Sequence, residues 1–361
     1  MKFSILVVLC IGFSLSLSAQ EENDLTAEKL KGPLKSIIIR GYRGEIKNGK
    51  PRKTRALHTT TKTFNRRGFL TETTSTIGGD TVAGQGITFK SARLIYKYDD
   101  NNHLIGSTSY DANGRIKDSS IQAVDKMGNR VEWVIYKADG SRDWMYISEY
   151  DLAGNLLETN EYKREKLETR HTYRYNDQNQ CNMESEYNAD NRLAWKETFK
   201  YDGKGNKTEV LDFKGNGSFD ARYTYKYNDI GKPVEEHEYQ TEDENKYKKI
   251  LTKYDNDGNV VEIVQYNENG KLDYIGKLDK YGNHLADVQY GPDGTIKQRI
   301  TAEYKFDDME NETEEILVYL DGSKTVTKSS YEYDKNGNWT KKVVLEDGEV
   351  SRIVEREIVY Y

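Results

Sequence analysis

Tyr201-Asp-Gly-Lys-Gly-Asn206 stands near the middle of a 361-residue chain and decides how the rest is read. Close copies of it occur at Tyr150-Asp-Leu-Ala-Gly-Asn155, Tyr227-Asn-Asp-Ile-Gly-Lys232, Tyr254-Asp-Asn-Asp-Gly-Asn259 and Tyr333-Asp-Lys-Asn-Gly-Asn338. Weaker copies begin at Tyr98, Val124, Tyr175, Leu278 and Phe306, so successive units start 24 to 28 residues apart. A fixed internal period of this size is the signature of a repeat architecture.

A second anchor falls midway through each unit, at Tyr110, Tyr136, Tyr162, Tyr187, Phe213, Tyr239, Tyr266, Tyr290, Tyr319 and Leu345. The half-unit is therefore 12 to 13 residues. Four residues after an anchor the chain usually carries Gly, as at Gly154 and Gly205, or Asn, as at Asn102, Asn179 and Asn191. Both tolerate positive φ, and an Asp or Asn just after the aromatic favours a type I turn that ends in a left-handed residue, which is hairpin geometry. Between turns lie runs such as Arg222-Tyr-Thr-Tyr-Lys-Tyr227 and Val260-Val-Glu-Ile-Val-Gln-Tyr266, rich in strand formers. Strands joined by such short turns are antiparallel neighbours.

The expected fold is therefore all-β, a tandem-repeat antiparallel β-meander of about 20 strands that winds as a twisted ribbon or β-solenoid, because flat sheets of this size are unusual. Composition agrees with stacked units more than with one large core: 35% of residues are hydrophobic and 32% charged, and the 28 tyrosines suit half-buried sheet surfaces.

Four segments follow along the chain. Residues 1–19 read as a signal peptide, with Lys2 before the apolar run Phe3 to Phe13 and a Ser-rich tail ending at Ala19. The run is too short to span a membrane as a helix. Residues 20–33 read as a tether and 34–91 as an N-terminal β segment, a cap that carries an insertion around Ile77-Gly-Gly-Asp80 and Gly84-Gln-Gly86. Residues 92–361 form the array. Export into an oxidising compartment would leave Cys181 without a partner after cleavage.

In the array, the motif Tyr-Asp-x-x-Gly-Asn with a second Tyr two residues earlier, as in Tyr173/Tyr175 and Tyr225/Tyr227, resembles the YD repeats of the RHS family. The resemblance implies a wound β-ribbon in a secreted or surface protein, and association with carbohydrate binding, cell contact or toxin encapsulation. Asn follows the Gly where the family usually has Arg, and no further domain follows the last repeat at Leu345.

Chemistry-bearing residues form no recognisable constellation. His58, His103, His171, His237 and His284 share no position of the repeat and no metal-ligand spacing. Cys181 has no His in register, and no Gly-x-Ser-x-Gly segment occurs. The turns Asp255 to Asn259 and Asp307 to Asn311 gather oxygens without the spacing of a calcium loop. Trp133, Trp144, Trp195 and Trp339 offer flat faces that could meet sugar rings. No catalytic, cofactor-binding or metal-binding residue is assigned, and no cofactor or enzymatic activity is expected.

The net charge of −6, from 54 basic and 60 acidic residues, reads as evenly spread, without a basic block to track phosphates, so nucleic acid is not an expected partner. The expected role is a non-catalytic secreted or cell-envelope protein, exported to periplasm, surface or medium, that binds glycan or protein through an extended β surface. A structural spacer or assembly scaffold is the alternative. An outer-membrane β-barrel ranks lower and no transmembrane insertion is expected, because Lys246 to Tyr254 places lysines on both alternations of one strand.

Overall fold

The Tyr-Asp segments close their hairpins through a shared set of backbone bonds, to which several add a side-chain amide. At Asp151 the backbone N–H donates to the Asn155 carbonyl at 2.9 Å, and the Gly154 N–H donates to the Asp151 carbonyl at 3.1 Å. The Asp151 carboxylate accepts the N–H groups of Ala153 and Asn155, each at 2.8 Å, and the Asn155 side-chain amide at 2.8 Å. Gly154 has φ +85°, the left-handed region where a Cβ is unfavourable. Asn179 holds the equivalent place at φ +59°. Beside each such turn the ladder slips by one residue, as between Lys200 and Tyr201 and between Lys226 and Tyr227, the last residues before their turns. Bulges of this kind raise local twist and bend the sheet.

The computed structural model describes residues 24–77, 90–240, 243 and 245–361. The expected signal peptide, residues 1–19, and most of the expected insertion lie outside the described residues. A short helix, α1 (Asp24–Ala27), precedes 24 strands. The first two, β1 (Leu34–Lys47) and β2 (Lys50–Phe64), are the longest, and most of the others have seven to ten residues. Each strand pairs antiparallel with the next, through to β23 (Trp339–Glu346) and β24 (Glu349–Tyr360).

The last strand then pairs with the first. Their ladder runs from Leu34 opposite Tyr360 to Tyr42 opposite Ile353. The sheet is thus a closed barrel of 24 strands, which corrects the expected open ribbon or solenoid of about 20. The cause is cumulative. A bend of one sign at nearly every hairpin returns the last strand to the first, and two apolar strand ends are there to meet.

Most side chains of the wall are only half-buried, and the two hydrophobic clusters both lie at this seam. Leu34 and Ile37 are fully buried and Phe64 nearly so, packed with Leu25 and Leu30 from the N-terminal segment. Val343, Val350 and Ile353 form the second cluster, with Tyr42 and Leu345 against it. The N-terminal segment also straddles the seam through polar bonds. Asp24 accepts the Leu70 N–H at 2.6 Å, while the Lys31 N–H donates to the Asn338 side chain at 2.8 Å and the Lys31 carbonyl accepts its amide at 2.7 Å.

Closure also overturns two functional expectations. A glycan-binding or spacer ribbon needs an extended open surface, and no open ribbon exists. The expectation of no transmembrane insertion rested on lysines that the ladder places beside carboxylates: Lys248 meets Glu238 at 3.2 Å, Lys249 meets Glu235 at 3.6 Å, and Lys253 pairs with Glu262. A closed wall has no unpaired edge, and this is the condition under which strands can enter a bilayer.

Ile37→Ala removes fully buried side-chain volume from the seam and is expected to cost about 3 kcal/mol in chemical denaturation. Ile121→Ala, at a side chain 58% exposed in the wall, is expected to change stability by less than about 0.5 kcal/mol.

Candidate functional site

The barrel wall is the candidate site, and its two faces differ because successive residues point to opposite sides. On one face, tyrosines that close even-numbered strands lie flat across the neighbouring strand. Tyr175 donates its hydroxyl to the Leu156 carbonyl at 2.9 Å, Tyr201 to Cys181 at 2.5 Å, Tyr227 to Lys207 at 2.5 Å and Tyr254 to Pro233 at 2.8 Å. Each carbonyl belongs to the residue that follows the preceding turn, where the slip in register disturbs the ladder. The tyrosine thus supplies a donor to a disturbed backbone site and keeps its ring on the sheet.

Later in the chain the same row reaches the turn itself. The Tyr333 hydroxyl donates to the Asp307 carboxylate and accepts the Asn311 amide at 2.8 Å, and Tyr360 does the same for Asp334 and Asn338. One rim therefore carries carboxylate-centred turns, and those of Asp307 and Asp334 are latched by a tyrosine from the next unit.

The tyrosine face also carries carboxylates in register. Glu184 lies opposite Glu197, and Glu197 opposite Asp212. The other face carries cross-strand ion pairs. Glu209 meets Lys200 at 2.5 Å and Arg222 at 2.9 Å, Glu235 meets Lys226 at 2.6 Å, and Glu314 lies between Lys305 and Lys328. A second aromatic row, Tyr110, Tyr136, Tyr162, Tyr187, Phe213, Tyr239 and Tyr266, lies on this ion-paired face near the opposite rim.

The histidines remain scattered, each with a local role. His103 takes the place of the turn asparagine and bonds Asp99 at 2.9 Å. His58 packs where a Cβ on Gly41 would stand 2.2 Å away. His171 meets the edge of Trp195, His237 stacks on Tyr247 at 4.3 Å, and His284 bonds Asp287 at 2.9 Å. Among the described residues, no three His, Cys, Asp or Glu side chains gather as a metal site.

The two oxygen-rich turns spend their carboxylates on their own backbone. Asp255 accepts from Asp257, Asn259 and the Asn259 side chain, and Asp307 accepts from Met309, Asn311 and Tyr333. The tryptophans are half-buried and already covered: Trp133 stacks on Tyr146 at 5.0 Å, Trp144 lies under Lys163 at 4.7 Å, Trp195 donates to Glu186 at 2.7 Å, and Trp339 lies under Arg356 at 3.3 Å. Cys181 is a free, half-buried thiol.

One feature escaped the reading of the sequence. Lys50-Pro-Arg-Lys-Thr-Arg55 is a basic run, hidden because the balance of charge over the whole chain is even. A local charge count would have found it.

No family model matches the chain, and no curated protein matches it. Solved structures do. The structure titled TcdB2-TccC3-Cdc42 is 14% identical over 81% of this chain, with a TM-score of 0.31, and this chain spans only 19% of that one. The Tc holotoxin pore of Photorhabdus luminescens, also spanned over 19%, has a TM-score of 0.26 at 14% identity over 82% of this chain. A porin-like protein from Bacteroides uniformis is 13% identical, with 91% of this chain and 98% of that one covered and a TM-score of 0.26. At these scores the likenesses decide neither family nor function.

The turns make the barrel sensitive to acid. The Asn155 amide holds the Asp151 carboxyl below its ordinary range, and Asn129, Asn206 and Asn259 do the same for Asp125, Asp202 and Asp255. A depressed folded-state pKa contributes stability above the unfolded pKa, and that stability is lost as pH falls through the folded value. Unfolding midpoints are expected to be flat above about pH 5 and to fall below about pH 4. Asp202→Asn keeps an acceptor for the backbone, as the natural Asn228 does. It should soften the acid dependence, which a denaturation series against pH would read.

Proposed function

We propose that this chain is a cell-envelope β-barrel of the outer-membrane type, built from YD-like repeats closed on themselves around a water-filled lumen. Closure carries the reading: residues Leu34 to Tyr42 take up the edge of Ile353 to Tyr360, so every ladder is satisfied within the wall. A barrel of 24 strands is too wide for side chains to fill. An aromatic row stands near each rim, on opposite faces, so one aromatic girdle faces outward whichever face is outside. The apolar leader from Phe3 to Phe13 supplies export. In this role the barrel is a passage for solutes.

Cell fractionation with the folded state monitored tests this reading. The protein is expected in the outer-membrane fraction, released by detergent, with faster gel migration before heating than after and stepwise conductance in planar bilayers. Folded protein in the soluble fraction without conductance would overturn it.

A second reading, the same closed wall standing in water as a hollow shell, is favoured by two observations. Ion pairs such as Lys226 with Glu235 line one face while carboxylates in register line the other. Seven-residue strands such as Val260–Tyr266 fall short of the roughly 9–11 residues usual for spanning strands. A detergent-free, monodisperse barrel is its expected outcome.

A further inference from the structure

We propose that the outer half of the β1–β2 hairpin is a docking arm for the phosphate-bearing headgroups of an anionic lipid surface. β1 pairs with β24 only as far as Tyr42, and β2 pairs with its other neighbour, β3 (Leu70–Ile77), only from His58. Among the described residues, 43–57 therefore pair only with each other. Residues 45–54 are all exposed.

The register sorts the charges of this arm. Arg43, Glu45 and Lys47 alternate along one face, opposite Arg55, Arg52 and Lys50. That face holds five cations against one carboxylate. Its Lys47–Lys50 pair is like-charged, an arrangement that costs stability unless an anion lies over it. Glu45 meets Arg52 at 3.8 Å. Arg43, Lys47 and Lys50 have no ion pair among the described residues.

The arm is held at its root. Lys53 bonds Glu355 at 2.9 Å and lies 4.7 Å over the Tyr42 ring. A Cβ on Gly44 would stand 2.5 Å from Val350, so the hairpin passes directly over the seam cluster of Val350 and Ile353. A rooted arm presents its charges at small entropic cost.

Two features select a lipid surface as the occupant. From Arg43 to Lys47 an extended chain covers about 13 Å, so the cations spread over several headgroups where one small phosphate would use two or three of them. On the opposite face, near the Asn48-Gly49 tip, Ile46 pairs with Pro51 and is 46% exposed, an apolar edge suited to the headgroup layer. The proposal stands on the arm itself and holds whether the barrel spans the bilayer or stands in water.

The test uses the full mature chain and the triple variant Arg43→Gln/Lys47→Gln/Lys50→Gln, which lies outside the wall and is expected to keep the unfolding midpoint. Flotation is measured with vesicles of phosphatidylcholine alone or mixed with phosphatidylglycerol. Each cation near an anionic surface is worth about a fivefold change in partition, so the variant is expected to lose on the order of 100-fold in binding to the mixed vesicles at low salt. On neutral vesicles the two proteins should behave alike.

Equal binding of variant and wild type to the mixed vesicles would overturn the proposal. So would release from them by millimolar inorganic phosphate at constant ionic strength, or a preference for duplex DNA over the vesicles. A spanning barrel leaves a fraction that resists a high-salt wash on both vesicle types. Docking by the arm is salt-sensitive and confined to anionic vesicles, so failure of one reading is separable from failure of the other.

Discussion

The ladder between β1 and β24 is the contact on which the rest of the structure depends. Every other strand pair joins neighbours in sequence, most of them across short turns that close at small entropic cost. This one joins residues more than 300 positions apart, for example Tyr42 with Ile353, and must offset the entropy of closing the whole chain. The apolar material of the protein is placed accordingly. Leu34, Ile37 and Phe64 on one side and Val343, Val350 and Ile353 on the other are the most completely buried clusters. The N-terminal segment adds Leu25 and Leu30, and hydrogen bonds that join Asp24 to Leu70 and Lys31 to Asn338 on either side of the join.

Away from the seam the wall holds together by polar repetition. In the Asp-centred turns that end in Asn, such as that of Asp151, a carboxylate that accepts two backbone N–H groups and a side-chain amide makes a small closed network, and low-dielectric crowding is not needed for it to be satisfied. A tyrosine from the following unit covers the backbone disturbed by the bulge, as Tyr227 does at Lys207. This explains how a chain with 35% hydrophobic residues sustains a sheet of this size. Its cohesion is distributed over nearest-neighbour contacts, with one concentrated apolar join.

The same economy shapes the candidate function. With little apolar area to cover, neither face of the wall is purely hydrophobic: ion pairs such as Glu209 with Lys200 and Arg222 occupy one, and Glu184, Glu197 and Asp212 sit in a row on the other. What sets the barrel apart from its own repeat is local. The first hairpin outruns the wall, its like charges face one another, and its root is fixed by the seam cluster. Departures from a repeat are where a selective surface can arise, since the repeated residues are already committed to turns and strand cover.

Strand, turn and direction were legible in the sequence. Gly154 and Asn179 mark left-handed positions, Asp151 marks the turn that accepts its own backbone, and the spacing of Tyr201, Phe213 and Tyr227 marks antiparallel neighbours. These are interactions within about a dozen residues, and local chemistry determines them. Closure was not legible, because it depends on the sum of many small bends and on whether Leu34 and Tyr360 arrive within hydrogen-bonding range. Nor was the fate of individual side chains. Trp195 is spent on Glu186 and Asp255 on its own turn, and Lys253 is neutralised by Glu262 across the ladder. The sequence by itself determined the unit of this protein, a strand and a carboxylate-capped turn, whereas only the tertiary structure decided that the units form a ring, since a repeat specifies the step between neighbours and the accumulated twist alone decides where the last step ends.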